Sequence, residues 1–323
     1  MLRSRVEAEA APTTLLQWLV QRFRYLDANG WRAAIAAGQL QRNGQPTHAD
    51  ELVHGGDEIA FTPIAAPAGL TVEVPVLHAD DDLVVVDKPP HLVVQTAGAF
   101  VHNTFVAALS ARFPRTDGAA WLEPAHRLDR ETSGVLVLVR HRDAARALQA
   151  QFERGEVHKR YLAVVHGNVA TGHLVVDAPI RGPERGAAVP RSLVVTTVGN
   201  GSRRARTEAR VEQQLRGFTV LQVTPHTGRR HQIRAHLAHA GHPLVGDKLY
   251  GQSDARYLAY VQHLKADGDP RWPGELPTAR QLLHAEFLQL RHPRTGGELQ
   301  LVAPRPHDLC AFVAAQGGQE RDR

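Results

Sequence analysis

The apolar run GVLVLV, residues 134–139, constrains the fold more than any other stretch of the chain. A run of this length that follows turn-forming residues is typical of a buried strand. Short strand patterns continue along the chain after about residue 70, as in LVVVD, RYLAVVHG, RTEARVEQQL, FTVLQVTP and LQLVAP. Helical patterns are fewer there and fall at 105–112, 143–152 and 231–239. The sequence therefore predicts an α+β fold with a mixed, largely antiparallel sheet.

The first part of the chain has a different pattern. Apolar positions between 13 and 35 recur at three- and four-residue spacings, which predicts helix. Asn43-Gly44 then marks a β-hairpin, and Gly55-Gly56 marks a second tight turn. We expect a small α/β module at 12–63, a linker at 63–69, a larger domain at 70–310 and a polar C-terminal tail at 311–323.

The charge of the chain favours a phosphate-bearing partner. Lysine and arginine number 38 against 33 aspartate and glutamate, and the pI is about 9.7. The excess is concentrated in two short arginine clusters, which are Arg203, Arg204, Arg206 and Arg210, then Arg229, Arg230 and Arg234. Such clusters are typical of proteins that bind nucleic acid, whereas an even distribution would indicate only a solvated surface.

Cysteine content and hydropathy set the expected compartment. The single cysteine, Cys310, excludes an internal disulfide and any cysteine-based zinc site, so we expect a reducing compartment and place Cys310 in the core. The N-terminus lacks the apolar segment of a secretory signal, and the longest apolar runs fall well short of the ~20 residues of a membrane helix. We expect a soluble, cytoplasmic protein.

Asp129 is the first candidate for chemistry. It lies in RLDRETSG, on the loop that leads into the buried run, beside Arg127, Arg130 and, when protonated, His126. Cationic neighbours lower the pKa of a carboxyl group and keep it ionised, so Asp129 is suited to act as a nucleophile, a general base or a metal ligand. The alternative is a surface aspartate that caps a turn.

The segment PHTGRRHQIRAHLAHAGHPLVGDKLYG, residues 225–251, is the second candidate. Its histidines at 226, 231, 236, 239 and 242 suggest a metal, but HExxH is absent and no Asp or Glu occurs between Thr227 and Gly246. Three arginines there would also repel a dication. We favour a helix that carries Arg234 into a cleft to hold Asp129, while Arg229 and Arg230 meet phosphates. No metal or cofactor is predicted.

Tyr161 is the third candidate. In RYLAVVHG the alternation of a strand places Tyr161 and Ala163 on one face and Leu162 and Val164 on the other. A tyrosine in this position can stack on a base or move a proton. The alternative is a core tyrosine with a satisfied hydroxyl.

Five segments resemble, in order, the motif series of the RluA-type RNA pseudouridine synthases: VVVDKPPHLVV, HRLDRETSGVLVL, KRYLAVVHG, HTGRRHQIRAHLAHAGHPLVGDKLYG and LLHAEFLQLRHPRTGGELQLVAP. The match extends over most of 72–306, and its central motif is long and of rare composition. The N-terminal module resembles, on the shorter motifs AIAAGQLQRNG and GGDEI, the S4-like RNA-binding domain of some members.

The resemblance implies a reaction that detaches uracil from C1′ of a uridine in RNA, turns the base and rejoins it through C5, without metal or cofactor. It implies that Asp129 is the essential carboxylate, that Arg234 pairs with it, and that Tyr161 packs on the target base and assists removal of the C5 proton. Arg127 corresponds to the side chain that fills the space left by the flipped base. Further residues expected to contact RNA or help to flip the base are His126, Arg130, Thr132, Arg229, Arg230 and Lys88.

Three sites depart from the family pattern, and at one of them RRAR before Thr207 replaces the more usual lysine-containing form. His91 stands where DKPxG has glycine, and Gln95 stands where histidine is common. These positions line or support the RNA cleft, so the departures bear on the substrate rather than on the reaction. The S4-like module favours large-subunit ribosomal RNA as substrate, and transfer RNA is an alternative. Alternatives of other classes are a non-catalytic RNA-binding or assembly factor and a histidine-metal hydrolase.

Overall fold

The computed structural model describes residues 2–7, 12–23, 28–61, 73–94, 105–113, 122–184, 186–267 and 276–318. The chain divides into two compact units: the first comprises Met1–Val72 and Val93–Pro114, and the second Glu73–Leu92 and Arg115–Arg323. The expected linker at 63–69 and Gln95 lie outside the described residues. The first unit thus includes a segment, 93–114, that the sequence placed within the larger domain.

The first unit combines small antiparallel sheets with three helices. Its elements are β1 Leu2–Arg5, β2 Thr13–Thr14, α1 Leu15–Arg22, α2 Ala28–Ala36, β3 Leu40–Arg42, β4 Gln45–Pro46, β5 Leu52–Val53, β6 Glu58–Phe61 and α3 Phe105–Arg112. One sheet has the order β1-β6-β3-β4, and β2 pairs with β5. The helix α1 begins where the Gln17 amide donates to the hydroxyl of Thr14 at 3.2 Å.

The hairpin predicted at Asn43-Gly44 is confirmed. It joins β3 to β4, and both turn residues have left-handed backbones, with φ of 52° and 81°. Beneath this sheet, Trp31 is fully buried and packs with Leu15 and Leu40 in the core of the unit. The first unit therefore has an apolar core of its own.

The second unit contains the remaining elements. They are β7 Val76–Ala79, β8 Leu83–Lys88, β9 Glu123–Pro124, β10 Ser133–Val139, α4 Arg142–Arg154, β11 His158–His166, β12 His173–Asp177, β13 Ile180–Arg181, β14 Leu193–Val194, β15 Ser202–Arg203, β16 Arg206–Gln214, β17 Phe218–Pro225, α5 Gln232–His239, α6 Asp254–Asp267, β18 Leu283–Arg291, β19 Glu298–Val302 and α7 His307–Ala315.

One ten-stranded sheet organises the second unit. Its strand order is β12-β16-β17-β11-β18-β10-β8-β7, with β19 paired to β18 and β9 to β10. β10 and β18 are parallel, whereas the other described pairs are antiparallel. The prediction of a mixed, largely antiparallel sheet is confirmed. The late strand β18 lies between β10 and β11, which brings the loop before β10 close to Leu162 and Ala163 in the middle of β11.

The parallel contact between β10 and β18 depends on Gly134. This residue pairs with Ala285 and has φ of 111°, a backbone conformation that favours glycine. A Cβ atom added here would collide with the backbone of Ala285. Glycine therefore permits the close approach that starts the buried run 135–139, whose residues are fully buried as predicted.

The alternation predicted for β11 is confirmed. Tyr161 and Ala163 pack with Ile233 of α5, whereas Leu162 and Val164 pack with α7 on the opposite face. The helix α4 also matches its prediction closely and ends at Gly155, which has φ of 72°. Tyr161 thus points to the side of the sheet that carries α5.

Three expectations need correction. The helices α6 and α7 have no counterpart in the sequence prediction. The tail expected at 311–323 is helical through Ala315, because Leu309 and Val313 of α7 are buried against the sheet. Cys310 is partly exposed rather than in the core, since it lies beside these two inward-facing residues on α7.

No helix in the described part of the chain has the length and apolarity needed to cross a membrane.

Candidate active site

Asp129 lies on the loop before β10, where a turn closes with the Thr132 amide donating to the Asp129 carbonyl at 3.1 Å. The carboxylate is 21% exposed and lines a cavity of about 630 Å³. The same cavity is lined by Tyr161 from β11, Arg234 from α5 and Phe152 from α4. Residues from three different elements and one loop therefore converge on one space.

Arg234 connects two carboxylates. Its Nη1 donates to Asp129 Oδ2 at 2.9 Å, while its Nε and Nη2 donate to the two oxygens of Asp247 at 2.7 and 2.8 Å. Asp247 is buried and also accepts the amides of Leu249 and Tyr250. The bidentate pair with Asp247 fixes the plane of the guanidinium, so its Nη1 is aimed at Asp129.

Asp129 remains ionised at neutral pH. Burial alone would raise the pKa of its carboxyl group, but the charges of His231, Arg234 and Arg127 and the Arg234 hydrogen bond lower that pKa to about 2. His231 contributes only when it is protonated, and burial lowers its own pKa to about 4. Near neutral pH, the guanidinium of Arg234 is therefore the permanent charge in contact with the anion.

Tyr161 shares the cavity with Asp129. Burial, and to a lesser degree the charge of Asp129, raise the pKa of its hydroxyl above the usual value, so the phenol is protonated. None of the described residues forms a hydrogen bond with that hydroxyl. The ring edge and the hydroxyl of Tyr161 are thus available to a ligand in the cavity.

A second ion pair holds the loop of Asp129. Lys248, next to Asp247, donates to the carboxylate of Glu131 at 2.6 Å, and the Gln281 amide donates to the same carboxylate at 3.2 Å. Arg280, fully buried, donates to the Glu131 carbonyl at 3.1 Å. Two adjacent residues, Asp247 and Lys248, thus restrain Asp129 and Glu131, one through Arg234 and the other directly.

Lys88 was expected to contact RNA, and the structure contradicts this. Its side chain is fully buried, and its Nζ donates to the carbonyl oxygens of Pro89 at 2.7 Å and Arg130 at 3.2 Å. Burial lowers the pKa of the amine to about 7. Lys88 therefore supports the loop of Asp129 from inside the protein.

His126 and Thr132, which were expected to contact RNA or help to flip the base, both make hydrogen bonds within the protein. His126 was considered as a cation, but its Nε2 accepts the Val137 amide at 3.1 Å and burial lowers its pKa to about 3, so the imidazole is neutral. The hydroxyl of Thr132 is buried and accepts from the Gln281 side chain at 2.9 Å. Both residues line the cavity, with the Nε2 of His126 and the hydroxyl of Thr132 engaged by the protein.

The arginines differ in how far the protein engages them. Arg130 is directed away from the cavity and donates to Glu131 and to the Tyr260 hydroxyl of α6. Arg229 lines the cavity, and its Nε donates to the Arg204 carbonyl at 3.0 Å. Arg127 and Arg230 are exposed and line the cavity. Arg127 and Arg230 are therefore the arginines best placed to contact a ligand.

The histidines of 225–251 have separate partners. His236 is fully buried between the Thr207 hydroxyl and the Ala178 carbonyl, and His242 contacts the His166 carbonyl at 3.0 Å. His231 has φ of 56° and lies 3.9 Å from Asp129. These three imidazoles therefore serve different contacts and do not converge on one point.

One group of possible metal ligands exists among the described residues, and it lies outside the cavity: Asp80, Asp82 and His292. The Nδ1 of His292 accepts the amides of Arg294 and Thr295, so its Nε2 carries the proton and donates to Asp80 at 3.0 Å. Arg294 also contacts Asp82 at 2.8 Å. Hydrogen bonds and an ion pair account for this group.

Sequence reasoning missed Asp247, Glu131 and Lys159. The first two occur in quoted motifs, but nothing local indicates that Asp247 reaches Arg234 or that Glu131 reaches Lys248. Lys159 is two residues before Tyr161, so the strand alternation already applied to Tyr161 would have placed it on the cavity side. His91, at the family's glycine position, has φ of 69°, which is a conformation that glycine favours.

Comparison with known proteins gives consistent matches. A family model described as RNA pseudouridylate synthase matches residues 82–239. The ribosomal large subunit pseudouridine synthase D of Xanthomonas campestris is 34% identical over 87% of this chain and 82% of that protein. Its namesake from Pseudomonas aeruginosa is 32% identical over 88% of this chain and 85% of that protein.

Solved structures support the fold. Human RNA pseudouridylate synthase domain containing 4 matches with a TM-score of 0.57 and 26% identity, covering 77% of this chain and 95% of that one. Human RNA pseudouridylate synthase domain containing 1 matches with a TM-score of 0.57 and 23% identity, covering 76% of this chain and 90% of that one. Residues 82–239, which the family model matches, include Asp129, Tyr161 and Arg234.

Proposed function

The chain belongs to the RNA pseudouridylate synthase family, and on this premise we propose that it converts specific uridines of large-subunit ribosomal RNA to pseudouridine. One observation carries the proposal: an ionised carboxylate, Asp129, is held by Arg234 at 2.9 Å in the same cavity as Tyr161. A uridine must leave the RNA stack to enter such a cavity, so base flipping precedes the chemistry.

Asp129 supplies the anion for the first step. As the bond between C1′ and N1 of the uridine breaks, the carboxylate either bonds to C1′ or removes the 2′ proton to leave a glycal. Both routes require an ionised carboxyl group, which the guanidinium of Arg234 maintains. Both routes also neutralise Asp129 in the intermediate.

Tyr161 acts on the later proton transfer. The net reaction removes a proton from C5 of the base and adds one to N1. The C5 proton leaves after the C1′–C5 bond has formed, when Asp129 is again a carboxylate. Burial and the charge of Asp129 raise the pKa of Tyr161, so the phenol is protonated and can relay the proton by accepting it from C5 as it gives up its own.

The relatives named ribosomal large subunit pseudouridine synthase D support ribosomal RNA as the substrate. Transfer RNA is the alternative. We propose that residues 12–63, with α1, α2 and the β3–β4 hairpin, form an S4-like RNA-binding module and that 70–310 carries the chemistry. The protein would act in the cytoplasm on RNA before or during ribosome assembly.

Mapping pseudouridine in total RNA tests the proposal. Cells that carry the gene, cells that lack it and cells that carry only Asp129→Asn are compared. We expect the same large-subunit sites to be lost in the last two strains and to return with the wild-type gene. Loss of sites only in transfer RNA would support the alternative substrate. An unchanged map, with RNA binding retained by the protein, would indicate a non-catalytic RNA-binding or assembly factor.

A further inference from the structure

Lys159 is a cavity residue with no assigned role. It lies on β11, two residues before Tyr161, so both side chains project from the same face of the strand. It lines the cavity together with Asp129 and Tyr161. The cavity therefore contains a lysine beside the groups that act on the base.

The ammonium group of Lys159 has no anionic partner in the described part of the chain. Its Nζ lies over the ring of Phe152 at 5.8 Å from the centroid. The acidic residues that line the cavity are engaged elsewhere: Asp129 pairs with Arg234, and Glu153 accepts the Gln149 side chain at 2.8 Å. Burial lowers the pKa of Lys159. A partly buried cation without a partner costs free energy, so its presence here favours an anion supplied by a ligand.

The position of the ammonium group fits a nucleic-acid backbone. A Cβ atom on Gly228 would lie 4.0 Å from the Nζ of Lys159, so the amine is beside the loop between β17 and α5. That loop carries Arg229 and Arg230 into the same cavity. Phe152 of α4, whose ring lies beside the amine, lines the same cavity. The only anion that a uridine in RNA brings into such a space is its phosphodiester.

We propose that Lys159 binds a phosphate that flanks the flipped uridine and so positions the nucleotide whose base meets Tyr161. The proposal rests on the proposed function, because it requires that an RNA strand enters this cavity. It extends that function by assigning a phosphate subsite to the strand that also carries Tyr161. The fixed spacing of two residues on β11 then sets the distance between phosphate and base.

The test uses the full-length protein, a labelled single-stranded oligouridylate and the variant Lys159→Met. Anisotropy titrations at several salt concentrations give the dissociation constant and its salt slope. We expect affinity to fall about tenfold and the salt slope to fall by about 0.7, which is the value for one phosphate contact on a single strand. Lys159→Arg should keep the slope of the wild type. Arg216→Met, which removes an exposed charge at the opposite end of β17, should leave affinity nearly unchanged.

Thermal stability separates binding from a structural role. Because Lys159→Met removes a partly buried charge that has no partner, the melting temperature should stay the same or rise. A clear fall in melting temperature would show that the lysine stabilises the fold, and the proposal would be wrong. Wild-type affinity and salt slope in the variant, or an oligouridylate that does not bind the wild-type protein, would also overturn it. Pseudouridine formation is measured separately, so failure of the ribosomal RNA assignment would leave the binding result interpretable.

Discussion

At the residue scale, Asp129 combines partial burial with a permanent charge. Burial disfavours the carboxylate, and the nearby cations more than offset it, so its pKa falls to about 2. The anion is therefore fully formed near neutral pH, and Arg234 holds it in a fixed position in the cavity. We therefore expect substitution of Asp129 to affect the chemical step and to leave RNA binding unchanged.

We expect Asp129→Asn to abolish pseudouridine formation while RNA affinity is retained. The amide keeps the shape of the side chain but cannot attack C1′ or accept a proton. Single-turnover assays at saturating RNA, with binding measured in parallel, test this. Activity above a few per cent of the wild type would contradict the role of Asp129.

Substitution of Arg234 should change the pH dependence of turnover. In Arg234→Met, burial of Asp129 is no longer offset by the guanidinium, so its pKa rises and activity is lost at a higher pH as the medium is acidified. Arg234→Lys keeps the charge but cannot bridge Asp129 and Asp247, so its rate should fall with a smaller shift of the acidic limb. The measurement is the rate at saturating RNA across pH. An unshifted acidic limb in Arg234→Met would contradict the electrostatic role.

Arg230 should behave as a binding residue. It is exposed at the cavity, so Arg230→Met should weaken RNA binding and lower the salt slope by about 0.7 with little change in turnover at saturation. Arg229→Met should show a smaller effect on binding, since its guanidinium also donates to the Arg204 carbonyl. A defect of either variant confined to the chemical step would contradict this division of roles.

At the element scale, the site depends on how closely backbone segments approach. Gly246 precedes Asp247 and Lys248 and has φ of 76°, and a Cβ atom there would collide with the Arg280 carbonyl and the Thr278 hydroxyl. The segment that restrains the Asp129 loop therefore packs directly against the irregular segment 278–282 that leads into β18. Its geometry tolerates no side chain at this point.

We expect Gly246→Ala to reduce both stability and turnover. Gly217→Ala is the matched control, because Gly217 has φ of 74° and open space around it. The control should cost about 1 kcal/mol from backbone strain alone, whereas Gly246→Ala should cost clearly more and displace Asp247. Denaturant unfolding and single-turnover rates measure the two effects. Equal losses of stability and turnover in the two variants would show that the close approach of Gly246 to the Arg280 carbonyl is unimportant.

Local patterns predicted elements that have local signals. The run 135–139, the hairpin at Asn43-Gly44 and helix α4 were read correctly, because apolar periodicity and turn residues determine them. Helix α6 was missed, since among its residues of described exposure only Tyr260 is buried and no clear apolar stripe exists. The central position of β18 in the sheet could not be predicted from the sequence, because pairing between strands that are far apart in the chain leaves no local pattern.

The same limit applies to the site. Asp129, Tyr161 and Arg234 were identified from residue chemistry and motif resemblance, and the structure brings them into one cavity. Asp247 was missed because its partner is defined only after α5 and the following loop have folded. Lys88 was misplaced, since a lysine in a motif gives no indication of whether its amine faces solvent or the backbone carbonyls of Pro89 and Arg130.

At the scale of the whole molecule, the proposed reaction assigns its steps to Asp129 and Tyr161 and calls for no Lewis acid. The group Asp80, Asp82 and His292 lies elsewhere and is occupied by hydrogen bonds and by Arg294. We therefore expect pseudouridine formation to be unchanged in excess EDTA. Activity that is lost on chelation and restored by zinc would revive the histidine-metal alternative.

The sheet order has a consequence for the synthesis of the chain. β18 lies between β10 and β11, yet it is made long after both, with a delay on the order of ten seconds at ribosomal speed. Until Leu283–Arg291 emerges, β10 and β11 both lack the strand that joins them in the folded sheet, which leaves sites for mispairing and for chaperone binding. We therefore expect activity only after β18 has left the ribosome. A chain truncated before residue 283 should aggregate rather than retain reduced enzymatic activity.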